Sequence, residues 1–222
     1  PLQIQPSELV KPFVVLQAAN LFAPWSRIKP DQKLVWLASF GALLLLILKQ
    51  PNLSTAALIG LTLWMVALAS GIRWRSLFGT ALAGGALGTA SILVNEYQRL
   101  RVVSFLNPWA DPMGDGYQLV QSLLAIGSGG FTGQGYGLST QKLQYLPIQS
   151  TDFIYAVFAE EFGFIGSLSL LLFLMLVAWV GLQVSLSCRN NQTRLIAIGC
   201  CTILVGQAIL NIAVASGSMP TT

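Results

Sequence analysis

Six apolar runs follow one another along this chain, at about 7–24, 34–48, 53–70, 76–94, 153–186 and 195–215. About 20 mostly apolar residues suffice to cross the hydrocarbon core of a bilayer as a helix. In lipid a helix also satisfies its own backbone groups, which an irregular segment cannot do. A soluble core helix mimics any one of these runs, but not six in succession. The expected fold is therefore all-α: a polytopic integral membrane helical bundle, one membrane domain over 1–222, with a long loop at 95–151. The weakest runs are 34–48, which Lys33 and Lys49 can extend by snorkelling, and 7–24, which begins with Ser7, Glu8 and Lys11. Only 9% of the residues are charged and 54% are hydrophobic, against about 25% charged in soluble domains.

Those few charges are sorted along the chain. Arg27, Lys29 and Lys33 follow the first run, Arg73 and Arg75 the third, and Arg189 and Arg194 the fifth. Alternate loops share a face, and basic loops mark the cytoplasmic one. The loop 95–151 then lies outside the cell. Seven of the eight acids (Glu8, Glu96, Asp111, Asp115, Asp152, Glu160, Glu161) fall on or near that outer side.

What is missing limits the chemistry. With no histidine there is no imidazole base or metal ligand. Cys188, Cys200 and Cys201 lack the spacing of a zinc site or a disulfide framework. The net charge of +4 is too diffuse for a nucleic-acid surface. Acid–base work falls to carboxylates.

The segment 95–151 is too long for an ordinary connection, and such segments are commonly functional. Residues 117–126, YQLVQSLLAI, predict an apolar helical patch in or on the membrane. The glycine-rich GSGGFTGQGYG that follows has no GxxxxGK[ST] and no preceding strand, so a turn or re-entrant segment is expected rather than a nucleotide loop. Asp111 and Asp115 stand beside Pro112 and Gly114 and read first as turn residues. Trp109 reads as an interfacial anchor.

Asp152 opens the fifth run, where an acid in the first helical turn is stabilised by free amides and the helix dipole. It reads equally as a helix-start aspartate and as a base at the water boundary. Glu160 and Glu161 lie about two turns further in, where an unpaired charge costs roughly 2.5–3.5 kcal/mol or more. Both cannot face lipid, so at least one is expected to face a polar cavity or a base such as Lys11. Glu8 and Lys11, three apart, can also pair with each other. Arg99, Arg101 and Lys142 are either solvated bases or holders of a diphosphate.

The order of several motifs is more specific. QPSELVK at 5–11, QPNLSTA at 50–56 and YQRLRVVSFLNPWADPMGDGYQLVQSLLAIGSGGFTGQGYGLSTQKLQYLP at 97–147 are followed by TDFIYAVFAEEFGFIG at 151–166 and NIAVASGSMPT at 211–221. Together they resemble the SEDS family (shape, elongation, division and sporulation proteins, of the FtsW/RodA type), and the glycine-rich detail leans toward its division branch. The resemblance implies a ten-helix membrane enzyme of which this chain supplies about six helices, three preceding Pro1 and one following Thr222, so that the piece alone is expected to be inactive. It implies a peptidoglycan glycosyltransferase that polymerises lipid II outside the bacterial cytoplasmic membrane. It maps the essential aspartate of the family's TDF motif onto Asp152. The implied partners are lipid II and lipid-linked glycan, a class B penicillin-binding protein transpeptidase, other divisome or elongasome membrane proteins, and membrane lipids. Two departures stand out: Asn52 and Ser54 replace an Asp and a Gly of the family's QPDxGTA pattern, and the chain ends before the GxPLPFxSYGGSS segment.

For such a transfer Asp152 would be the base. Arg99, Arg101, Lys142 and Lys11, with Glu160 and Glu161, would hold diphosphate or sugar. No organic cofactor is expected, and a divalent cation, Mg2+ or Mn2+, is the one inorganic helper the reaction admits. A lipid II flippase and a non-enzymatic scaffold are the other open readings. The outward crowding of the acids argues against the flippase, which needs polar groups serving both leaflets near the midplane.

Overall fold

The computed structural model describes residues 6–50, 53–114, 116–138 and 153–220, and no strand occurs among them. Asp152, Lys142, Asp115 and Asn52 lie outside the described residues. The helices are α1 (Pro6–Phe22), α2 (Pro30–Lys49), α3 (Leu53–Ala69), α4 (Trp74–Val94), α5 (Glu96–Leu106), α6 (Tyr117–Gly129), α7 (Ile154–Ser187) and α8 (Asn191–Ala215), with a 3-10 turn at Pro108–Ala110. Four of them, α2, α4, α7 and α8, are long and apolar enough to cross a membrane. The 17-residue α1 and α3 sit at the short end of the spanning range. The chain is a polytopic helical membrane protein.

Two compact units divide it: Pro1–Val94 with Val177–Gly206, and Asn95–Leu176 with Gln207–Thr222. In the first, α3 packs against α1, α2 and α4. Val14, Ala18, Phe22, Phe40, Ile59, Val66 and Leu195 are among its buried core. Small residues let backbones approach where lipid offers no hydrophobic drive. A Cβ added to Gly199 of α8 would overlap Val15, and one added to Gly206 would crowd Leu58.

One end of this unit is polar. Asn191 Nδ2 donates to the Ala23 carbonyl at 3.1 Å, and Arg194 Nη2 to the Ala69 carbonyl at 3.3 Å. Both acceptors belong to the orphan carbonyls at a helix C-terminus, where a cation also meets the negative end of the dipole. The start of α8 thus gathers the ends of α1 and α3, and with them the three basic loops, at one end of the unit. Lys33 adds a cation–π contact, 4.7 Å from the Trp25 ring.

In the second unit Ala125, Phe153, Ala156, Val214 and Ala215 form the core. The end of α8 closes in a Schellman turn: the Ser218 amide reaches the Ala213 carbonyl at 2.7 Å and the Gly217 amide the Val214 carbonyl at 3.1 Å. Ser122 Oγ of α6 takes up the Ala215 carbonyl at 2.7 Å.

Two features depart from the sequence reading. The segment 95–151 contains α5 as well as the expected patch, because Glu96, Gln98, Arg99, Leu100 and Arg101 are helix formers that carry no apolar run. The run 153–186 is also interrupted. Gly163 (φ 67, ψ −160) breaks α7 into 154–162 and 164–187.

Candidate functional site

A break inside a membrane helix strands backbone groups: carbonyls at the end of the first half and amides at the start of the second. Unsatisfied in an apolar setting, each costs several kcal/mol. In this chain the glycine-rich segment meets them. The amides of Gln134 and Gly135 donate to the carbonyls of Glu160 and Glu161, at 3.0 and 3.1 Å. In return the amides of Phe164 and Ile165 donate to the carbonyls of Gly130 and Phe131, at 2.9 and 3.2 Å. Residues 130–135 are a splint across the gap.

The splint explains two glycines. Gly133 has φ +81, and a Cβ there would overlap the Glu161 carbonyl; Gly163 has φ +67, and its Cβ would overlap the Gly133 amide. Backbone passes against backbone with no room for a side chain. Gln134 Nε2 also donates to the Ser128 carbonyl at 2.6 Å, and Phe131 packs edge-on against Phe164 with centroids 5.7 Å apart.

This arrangement sets the carboxylates. Glu160 and Glu161 end the first half of α7, 1% and 6% exposed respectively. Their side chains are therefore buried at a point where the helix is not free to slide or rotate, because their own carbonyls are held.

The remaining candidates distribute as follows. Lys11 of α1, in the first unit, is buried and donates from Nζ to both carboxylate oxygens of Glu8, at 2.7 and 2.8 Å, as the three-residue spacing allows. Arg99 lies exposed on α5 in the second unit. Arg101, one turn below Tyr97, lies over the Tyr97 ring with Cζ 4.4 Å from its centroid and donates from Nη2 to the Tyr97 hydroxyl. Its Nη1 is buried and makes no hydrogen bond among the described residues. This Tyr97–Arg101 coupling escaped the sequence reading, although its i,i+4 spacing was there to see. Asp111 serves as a turn residue, its Oδ1 accepting from the Gly114 amide at 3.0 Å. Among the described residues no three His, Cys, Asp or Glu side chains converge as metal ligands.

Similarity to known proteins extends over the whole chain. The profile of the FtsW/RodA/SpoVE family, described as cell cycle protein, matches residues 1–222. A "Probable peptidoglycan glycosyltransferase FtsW" of Synechocystis sp. is 58% identical over 222 residues, covering 100% of this chain and 56% of that protein. The "Stage V sporulation protein E" of Bacillus subtilis is 33% identical, covering 99% of this chain and 61% of that one. A solved structure, described as "Structural coordination of polymerization and crosslinking by a peptidoglycan synthase complex", matches with TM-score 0.74 and 29% identity, over 100% of this chain and 62% of that one. The chain thus spans little more than half the length of such relatives.

Proposed function

The chain belongs to the FtsW/RodA/SpoVE family, and on that premise we propose that the full-length protein is a peptidoglycan glycosyltransferase that polymerises lipid II at the outer face of the bacterial cytoplasmic membrane. The observation that carries the reading is the buried Glu160–Glu161 pair at an interrupted membrane helix, about two turns beyond the TDF segment. Carboxylates are kept in apolar surroundings only where they are used or paired, and relatives bearing the glycosyltransferase description supply the reaction class.

In this reaction the sugar 4-hydroxyl of one lipid II attacks the anomeric carbon of a glycan chain held on lipid diphosphate. The new glycosidic C–O bond forms as the bond to the diphosphate oxygen breaks. Asp152 accepts the hydroxyl proton, the role the family motif gives it in a chain without histidine. The departing diphosphate gains negative charge, which Arg99, Arg101 and Lys142 offset. Tyr97 fixes the Arg101 guanidinium through its ring and hydroxyl. Glu160 and Glu161 accept hydrogen bonds from sugar hydroxyls. The cation expected from sequence finds no three-ligand cluster among the described residues, so no step is assigned to it.

A class B penicillin-binding protein transpeptidase is the proposed partner, in keeping with the synthase complex that the fold resembles. The basic end of the first unit supports placing 23–29, 70–73 and 188–190 in the cytoplasm. The flippase reading is disfavoured by the splint. A transporter offers the backbone freed at a helix break to its cargo, whereas here 130–135 takes up four such groups.

The test is polymerisation of purified lipid II by the full-length protein with its transpeptidase. Asp152→Ala should abolish glycan strands, while Asp111→Ala, a turn substitution, should not. Strand synthesis by Asp152→Ala would overturn the assignment.

A further inference from the structure

The splint at Gly163 has a consequence beyond backbone satisfaction. Its two pairs of hydrogen bonds fall on the residues that carry the carboxylates and on the two residues that restart the helix. The depth and rotation of Glu160 and Glu161 are therefore set from outside their own helix. In sequence the pairing also brackets 136–159, the stretch that contains Lys142 and Asp152. We propose that residues 130–135 are a positioning clamp for glycan polymerisation, with Gly133 and Gly163 as its positioning residues. Neither touches substrate; they act through Glu160 and Glu161. The inference rests on the glycosyltransferase reading.

Three features carry it. Gly133 and Gly163 occupy left-handed backbone that side chains rarely adopt. The atoms a Cβ would strike are backbone, the Glu161 carbonyl and the Gly133 amide, so no rotamer change relieves the overlap. And the clamp is reciprocal, two bonds in each direction, so that one short stretch holds both halves of α7 at once.

The experiment uses the full-length protein with its transpeptidase in nanodiscs, as wild type, Gly133→Ala, Gly163→Ala, Asp152→Ala and the control Gly127→Ala. Gly127 lies in α6 with open space around a Cβ and ordinary backbone. Hydrogen exchange at the amides of Gln134, Gly135, Phe164 and Ile165 reads the clamp without reference to activity. Slow exchange is expected in wild type and Gly127→Ala, and fast exchange in Gly133→Ala and Gly163→Ala. Lipid II kinetics should show kcat down by about tenfold or more in those two, with KM within about twofold, the signature of lost transition-state positioning rather than lost binding.

Fast exchange in the wild type would overturn the clamp without recourse to any variant. So would wild-type turnover in a variant whose four amides exchange freely, or a rise in KM at unchanged kcat. If the wild type makes glycan strands in that same series, only this inference falls; if the wild type makes none, the glycosyltransferase reading falls first.

Discussion

The amide of Gly135 donates to the carbonyl of Glu161 at 3.1 Å, joining a glycine-rich loop to the carboxylate-bearing turn of a broken membrane helix. A buried carboxylate is costly to leave unpaired, and so is a helix break. Placing the two together lets one stretch of backbone hold both.

Arg101 should prove more sensitive than its neighbour Arg99. Tyr97 holds its guanidinium by ring contact and hydroxyl, which fixes the plane of its fork. Lysine keeps the charge and loses the planar fork. Arg101→Lys is expected to lower kcat/KM for lipid II by about tenfold, equivalent to about 1.4 kcal/mol of lost transition-state stabilisation. Tyr97→Phe should give a smaller fall in the same assay. Equal effects of Arg99→Lys and Arg101→Lys would remove the distinction.

Ser122 is buried and donates to the Ala215 carbonyl at the end of α8. Ser122→Ala leaves that carbonyl one hydrogen bond short, at a cost of about 1–3 kcal/mol. Thermal unfolding of the full-length protein in detergent should show a lower midpoint. An unchanged midpoint would mean that water or another donor replaces the hydroxyl.

Two glycines of the first unit should respond in opposite directions. At Gly199 a new side chain meets Val15, and overpacking of this kind costs about 1–3 kcal/mol. At Gly85 of α4 nothing lies within 4 Å of a new Cβ, and alanine favours a helix by up to about 1 kcal/mol. Folded yield and thermal stability should fall for Gly199→Val and hold or rise for Gly85→Ala.

The basic end of the first unit predicts topology. With Cys188, Cys200 and Cys201 replaced, a single cysteine at Arg27 or Arg189 should resist a membrane-impermeant thiol reagent applied to intact cells. One at Trp109, 57% exposed, should react. The reverse labelling pattern would invert the orientation.

Much of the architecture was legible in the chain. Hydropathy and length located α1 to α4, α7 and α8, and the i,i+3 spacing of Glu8 and Lys11 allowed the pair that forms. The helical patch at 117–126 appears as α6. What escaped was α5, whose residues favour a helix without forming an apolar run, and with it the seating of Arg101 on Tyr97. The glycine-rich segment reads as a turn or re-entrant stretch because composition says where backbone is free to bend and not what it bends against.

By itself the sequence determined the membrane environment, the sorting of charge and the absence of an imidazole base. Each of these depends on residue type and local period, which a neighbour many residues away does not alter. Only the tertiary structure decided that α7 breaks at Gly163 and that residues 130–135 bridge the break. A glycine inside an apolar run is compatible with a continuous helix and with a broken one. The choice turns on whether a distant segment can hydrogen-bond the stranded carbonyls and amides, and here 130–135 does so.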